Sequence, residues 1–292
     1  MSSGQTIDNH GAADQWVVTL TCEDRPGIVH AVTGAVVRAA GNITELKQFS
    51  STDTGRFFIR LQFTSERSRD LIVAELTRVG ADLAAEWHLD VVGRPVRTLI
   101  LASKAAHCLI DLLFRQHAGQ LPIEIPRVMS NHDNLRGITE FYRVPFESHV
   151  VLPDTKADFE ARVREVVRTE NIELVVLARY MQILSPDLCE FLRGRAINIH
   201  HSFLPGFKGA NPYRQAHARG VKLIGATSHF VTADLDEGPI IEQNVVRVDH
   251  SSSPRQLMSI GQDNESRTLS QAVRLFSEHR VLMDGIRTIV FQ

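Results

Sequence analysis

The chain has few cysteines. Cys22, Cys108 and Cys189 are far apart in 292 residues and form no CxxC pair. They support neither a disulfide framework nor a zinc knuckle, and a reducing cytoplasm fits them best. The HExxH pattern is also missing, and His200, His201 and His229 lack metal-ligand spacing, so no metal site is expected. There is no basic surplus: 32 Lys and Arg stand against 34 Asp and Glu, a net charge of -2. That balance argues against nucleic acid as a partner. No run of about 18 apolar residues occurs, so no membrane-spanning helix is expected. The polar opening, residues 1–14, lacks the apolar stretch of a secretory signal and reads as a disordered leader. Internal repeats and low-complexity tracts are absent.

What remains is an ordinary globular composition, 43% hydrophobic and 23% charged, long enough for two domains. The first block covers residues 15–92. Trp16 to Cys22 is rich in β-branched residues and predicts a strand. Asp24-Arg25-Pro26-Gly27 reads as a turn opening a helix, with Asp24 or Gly27 near its cap. Ile28, Val32, Ala35 and Val36 then recur at helical spacing, and Gly41 reads as the stop. Asn42 to Ser50 predicts a second strand. A hairpin at Ser51 to Gly55 leads to a third, where Phe57, Ile59, Leu61 and Phe63 alternate with Phe58, Arg60 and Gln62 as in a half-buried strand. A helix over Glu66 to Val79 and a strand over Glu86 to Val92 complete the order βαββαβ, a ferredoxin-like pattern.

Residues 93–96 read as a linker. In the second block, residues 97–292, strands alternate with helices, which predicts a mostly parallel, Rossmann-like sheet covered on both faces. Its strands are Arg97 to Ala102, Ile123 to Ser130, Glu173 to Ala178, Ala196 to Ile199, Ile224 to Val231 and Ile240 to Val248, the last two antiparallel. Pro254 to Leu282 is mostly helical, with an interruption expected at Gly261. The fold class is therefore α/β in two domains.

The chemistry concentrates in Ile197 to Gln243. Asn198 and His200, two apart at a strand end, project to one side. Ligands bind at strand ends of an open α/β sheet. Asp236 sits in a turn beside Gly238. An amide donor, an imidazole and a carboxylate suit acyl transfer: the amide binds a developing oxyanion, the imidazole moves a proton, and the carboxylate holds the imidazole or takes a proton. His201 is expected to face away from His200 in a structural role, and His229 to belong to the core or to support the site. For Arg179 and Lys104, solvated surface charge is the default alternative to binding an anion.

Asn198-Ile199-His200, Ser202 with Leu204-Pro205, and Leu235-Asp236-Glu237-Gly238-Pro239 together resemble the formyltransferase family. Asp24 through Ile28, with the βαββαβ order, resembles an ACT domain. Within the larger family, His107-Cys108-Leu109, Ser130-Asn131-His132 and Leu177 through Ser185 resemble the formyltetrahydrofolate deformylases. The absence of glycine from Ser103 to Cys108 separates the chain from glycinamide ribonucleotide transformylases, whose phosphate cradle lies there. Gly206, Ala105-Ala106, residues 261–265 and Met283 to Ile286 depart from the pattern.

The resemblance implies hydrolysis of 10-formyltetrahydrofolate to formate and tetrahydrofolate, supplying formate for purine synthesis, without metal or cofactor. It assigns Asn198 and His200 to the formyl oxygen and Asp236 to His200 and to the attacking water's proton. It assigns Arg179, Tyr180, Met181, Phe230, Val231, Asp234, Leu235 and His132 to folate. It further implies an amino-acid effector near Gly27, Ile28 and Asn42. The open edge of the first sheet implies a homo-oligomer, a dimer or tetramer. Two alternatives keep the same residues: a formyltransferase with an amine acceptor, and an amino-acid-sensing protein that binds folate without turnover.

Overall fold

The computed structural model describes residues 14–204 and 212–292. The leader expected over residues 1–14 lies outside them except for Asp14, which begins the first strand, and Gly206 also lies outside. The chain divides into two compact units. The first runs to Arg94 and includes Phe291–Gln292, and the second is Pro95–Val290.

The first unit follows the expected order: β1 (Asp14–Glu23), α1 (Ile28–Arg38), β2 (Asn42–Ser51), β3 (Arg56–Ser65), α2 (Arg69–Leu83) and β4 (Glu86–Val91). The strands form an antiparallel sheet in the order β2-β3-β1-β4. Phe57, Ile59, Leu61 and Phe63 of β3 join Ile28, Val32, Ala35 and Val36 of α1 in one apolar cluster. The other face of β3 is not half-buried as its alternation suggests. Phe58 and Arg60 are also fully buried, and the Arg60 guanidinium is neutralised by Glu45 at 2.7 Å. The stop after α1 also differs. The left-handed residue is Ala40, whereas Gly41 is needed for space: a Cβ there would lie 2.6 Å from the Val36 side chain and 2.8 Å from Phe63. Gly80 of α2 is needed in the same way, because a Cβ would fall 2.5 Å from the Trp87 indole.

The second unit is built on a seven-stranded sheet, β11-β10-β9-β8-β5-β6-β7. Five strands are parallel: β5 (Val96–Ala102), β6 (Ile123–Ser130), β7 (Phe146–Ser148), β8 (Leu174–Ala178) and β9 (Ala196–His200). β10 (Leu223–Phe230) and β11 (Ile240–Arg247) close one edge antiparallel. Alternation sorts the core into two layers. Ile100 and Ala102 pack with Leu109 and Leu113 of α3 (His107–His117) and with Leu269 and Val273 of α8 (Pro254–Ser277). Leu99 and Leu101 pack with Phe159 and Val163 of α5 (Lys156–Thr169) and Leu188 of α6 (Pro186–Phe191). The short α4 (Arg136–Phe141), α7 (Pro212–Ala218) and the hairpin of β12 (Val281–Asp284) and β13 (Arg287–Val290) complete the unit.

α8 is unbroken for 24 residues. Its Gly261 faces Tyr213, whose hydroxyl would lie 2.1 Å from an added Cβ, so the glycine serves a close approach and leaves the helix intact. A capping box between Ser253 and Gln256 starts it. None of the helices among the described residues is long and apolar enough to cross a membrane.

The chain leaves β5 for β6 on one side and returns to β8 on the other, so the carboxyl ends of β5 and β8 flank the crevice where such sheets bind ligands. Because Leu101 on β5 is fully buried, Leu101→Ala should destabilise the second unit by about 2–5 kcal/mol. The far-ultraviolet circular dichroism midpoint in urea checks this.

Candidate active site

β9 delivers Asn198 and His200 to one side, and the antiparallel register with β10 sets His229 opposite Asn198 and Thr227 opposite His200. The third residue comes from the turn between β10 and β11. Asp236 takes a left-handed backbone, φ 58°, an uncommon state for a residue with a Cβ. The turn folds back tightly on the end of β10: Phe230 N–H donates to Pro239 O at 2.9 Å. A Cβ at Gly238 would lie 1.7 Å from the Phe230 carbonyl oxygen, so only glycine allows this closure.

The carboxylate of Asp236 gathers the other groups. Oδ2 lies 3.1 Å from His200 Nδ1, and Oδ1 lies 3.6 Å from His229 Nε2 and 3.5 Å from Asn198 Nδ2. His229 Nδ1 meets the Phe230 carbonyl at 2.9 Å and must donate to it, which leaves Nε2 facing Asn198 Nδ2 at 3.3 Å. Burial by itself would raise the Asp236 pKa. The His200 and His229 imidazoles that face it outweigh burial and hold the carboxyl well below the usual carboxylate range. His200 is buried, and its Nε2 has no hydrogen-bond partner among the described residues.

Two cavities flank these residues. One, about 70 Å³, is lined by Asn198, His229, Tyr180, Ile183, Val231 and Leu235. At about 30 Å³ per water it holds only a few waters. Ile183 and Leu235 at its mouth are exposed. The other, about 820 Å³, is lined by His107, Arg179, Met181, His201, Tyr213 and Glu265, among others.

The residues expected around folate are thus divided. Tyr180, Val231 and Leu235 share the small cavity with Asn198, while Arg179 and Met181 face the large one. The Phe230 side chain is packed in the sheet core and Asp234 is exposed in the turn. His132 is half-buried beside β6 and lines neither cavity. In the first unit, Gly27 caps α1 with φ 95°, and Asn42 lines a separate cavity of about 470 Å³ with Ala40 and Thr64 to Arg67.

His201 departs from its expected place. Its ring stacks on His200, centroids 4.8 Å apart and planes at 22°. Sequence reasoning also passed over Glu265. It is 1% exposed on the inward face of α8 and meets Tyr213 Oη at 2.6 Å, His107 Nε2 at 2.8 Å and Arg179 Nε at 3.4 Å. The signal was available, since Glu265 falls on the helical stripe of Leu257, Gly261, Leu269 and Ala272. An acidic residue on such a stripe is seldom buried without partners. His107, Cys108 and Glu265 bring three ligand-type atoms within 4.8 Å of one another. They suit a network better than a metal, because burial pushes the Cys108 thiol far up and Arg179 already faces the carboxylate.

Gly238→Ala should displace the turn that carries Asp236. A drop in turnover of about 10²-fold or more is expected, the size of losing an oriented proton-transfer group, with stability lowered as well; steady-state rates and a thermal melt on the same preparation check it.

The chain is similar to known proteins over most of its length. Residues 96–273 match the formyl transferase family and residues 16–81 the ACT domain. A formyltetrahydrofolate deformylase from Corynebacterium sp. (strain P-1) is 49% identical over 94% of this chain and 98% of its own. The crystal structure of the Burkholderia mallei formyltetrahydrofolate deformylase superposes with a TM-score of 0.93 at 48% identity, covering 96% of this chain and all of that one. A glycinamide ribonucleotide transformylase from Symbiobacterium toebii matches at TM-score 0.64 and 30% identity, over 70% of this chain and 98% of its own. The chain therefore belongs to the formyl transferase family and, within it, to the formyltetrahydrofolate deformylases.

Proposed function

We propose that this chain hydrolyses 10-formyltetrahydrofolate to formate and tetrahydrofolate at Asn198, His200 and Asp236. The observation that carries the reading is the buried Nε2 of His200, which has no partner among the described residues and whose Nδ1 lies 3.1 Å from the Asp236 carboxylate. This is the logic of an imidazole oriented by a carboxylate. Water attacks the formyl carbon and gives its proton to His200 Nε2. The formyl oxygen becomes an oxyanion that accepts a hydrogen bond from Asn198 Nδ2, one of two amide N–H donors there. The intermediate collapses, the C–N10 bond breaks, and His200 returns the proton to N10. The sequence reading gave the water's proton to Asp236. A carboxyl held far below its usual range is a weak base, so it suits an anion that stabilises the His200 imidazolium. The reaction is redox-neutral and its atoms balance without a metal or cofactor.

The pteridine is assigned to the small cavity, with Tyr180, Val231 and Leu235 against the ring. In the first unit we infer an amino-acid effector: Gly27 and Ile28 open α1 and Asn42 follows its far end, at the opposite end of the sheet, so one ligand meets both only where two copies come together. The edge strand β2, with Phe49 half exposed, provides an edge for a second copy, giving a homo-oligomer. The three free cysteines are all buried, which suits the reducing cytoplasm.

Formate release from 10-formyltetrahydrofolate in plain buffer tests the reading. Asn198→Ala, His200→Ala and Asp236→Asn should each lower kcat by about 10²-fold or more. A rate that requires an added amine would favour formyl transfer instead. Isothermal calorimetry with a panel of amino acids should give a binding isotherm that Asn42→Ala weakens; a flat trace for every amino acid would leave the first unit without a sensing role.

A further inference from the structure

The catalytic triad makes no use of Arg179, His201 or Glu265, yet all three are held in a fixed arrangement beside it. Arg179 follows β8 directly with φ 60°, left-handed and costly for a residue with a Cβ. Its Nη1 lies 2.8 Å from His201 Nδ1, and its Nε faces Glu265 Oε2 at 3.4 Å. Glu265 is itself fixed by Tyr213 and His107. A guanidinium only donates hydrogen bonds. His201 Nδ1 must therefore offer its lone pair, which leaves the ring proton on Nε2. That atom is buried and has no partner among the described residues.

We propose that Arg179 is a positioning residue for the hydrolysis: it keeps His201 a neutral imidazole and, through the ring stack, holds His200 in its reactive orientation. The inference rests on the assignment of His200 as the proton carrier. A charged His201 stacked at 4.8 Å would oppose the positive charge that His200 takes on during turnover. The groups facing His201 come from several elements. Arg179 after β8 and His200 on β9 disfavour a charge on it, whereas Glu265 on α8 and Asp236 in the β10–β11 turn favour one. His107, Tyr213, Arg214 and Arg255 line the same cavity. Burial and then Arg179 dominate, pulling His201 down to about 4. The ring is therefore predominantly neutral at neutral pH.

The direction of the test follows. Arg179→Gln removes the cation; burial and His200 still oppose the charged ring, but with Arg179 gone Glu265 and Asp236 weigh more against them, so the His201 pKa rises. Below the new pKa, kcat/KM should fall about tenfold per pH unit relative to the parent, an extra limb on top of the one that protonation of the base gives every variant. Arg179→Lys keeps the cation and should show no such limb. In the double variant Arg179→Gln with His201→Phe, a ring that cannot titrate occupies the stack, and the limb should vanish. A purely structural role for Arg179 would lower the rate equally at all pH values.

Proton NMR of the His201 ring reads the same point without substrate, so a wrong substrate assignment would not obscure it. His201 should keep one chemical shift from pH 5 to 9 in the parent protein and titrate within that window in Arg179→Gln. Titration of His201 in the parent, an Arg179→Gln profile parallel to the parent's, or a limb that persists in the double variant would each overturn the proposal.

Discussion

The site depends on one carboxylate receiving several partners. Asp236 meets His200 on one oxygen and faces His229 and Asn198 on the other. The anion lies against the His200 imidazole and the Asn198 amide and fixes both. Its position comes from the antiparallel pairing of β9 with β10 and from the turn after β10, which folds back because residue 238 has no side chain. A change at residue 238 would shift the Asp236 carboxylate without replacing it. Positions set in this way, by backbone closure, allow tight preorganisation.

A second network continues from the first. Glu265 binds groups from α3, α7 and the end of β8, and Arg179 passes the connection to His201 and so to the His200 ring. The Glu265 carboxyl lies below its ordinary range although burial acts to raise it. The His107 hydrogen bond, the Arg179 charge and the Tyr213 hydroxyl together prevail. Removing any one member would leave a buried group unpaired, and that loss usually exceeds what the pair contributed.

Much of this was legible in the sequence. The βαββαβ order, the parallel strands and the antiparallel edge are periodic signals, and they map onto the observed sheets. Asn198, His200 and Asp236 were legible because strand alternation and a glycine turn are local rules. The roles of the glycines were less so. Gly41 and Gly261 read as breakers, yet each makes room for a neighbour distant in sequence or across a turn, which no local window contains. His201 was misplaced for a related reason. Neighbouring side chains on a strand point to opposite faces, but β9 ends at His200 and the alternation rule stops with it. Arg179 reads as an anion-seeking surface charge until α8 brings Glu265 against it.

The placement of the tryptophans has a practical consequence. The chain has two, Trp16 on β1 and Trp87 on β4. Trp16 is buried in the first unit's apolar cluster, and Trp87 packs against it. Indole emission therefore originates wholly from the first unit, and unfolding of the seven-stranded sheet that carries His200 and Asp236 is dark at that wavelength. A fluorescence transition would describe the small unit alone. Its coincidence or disagreement with circular dichroism would show whether the two units unfold as one cooperative system.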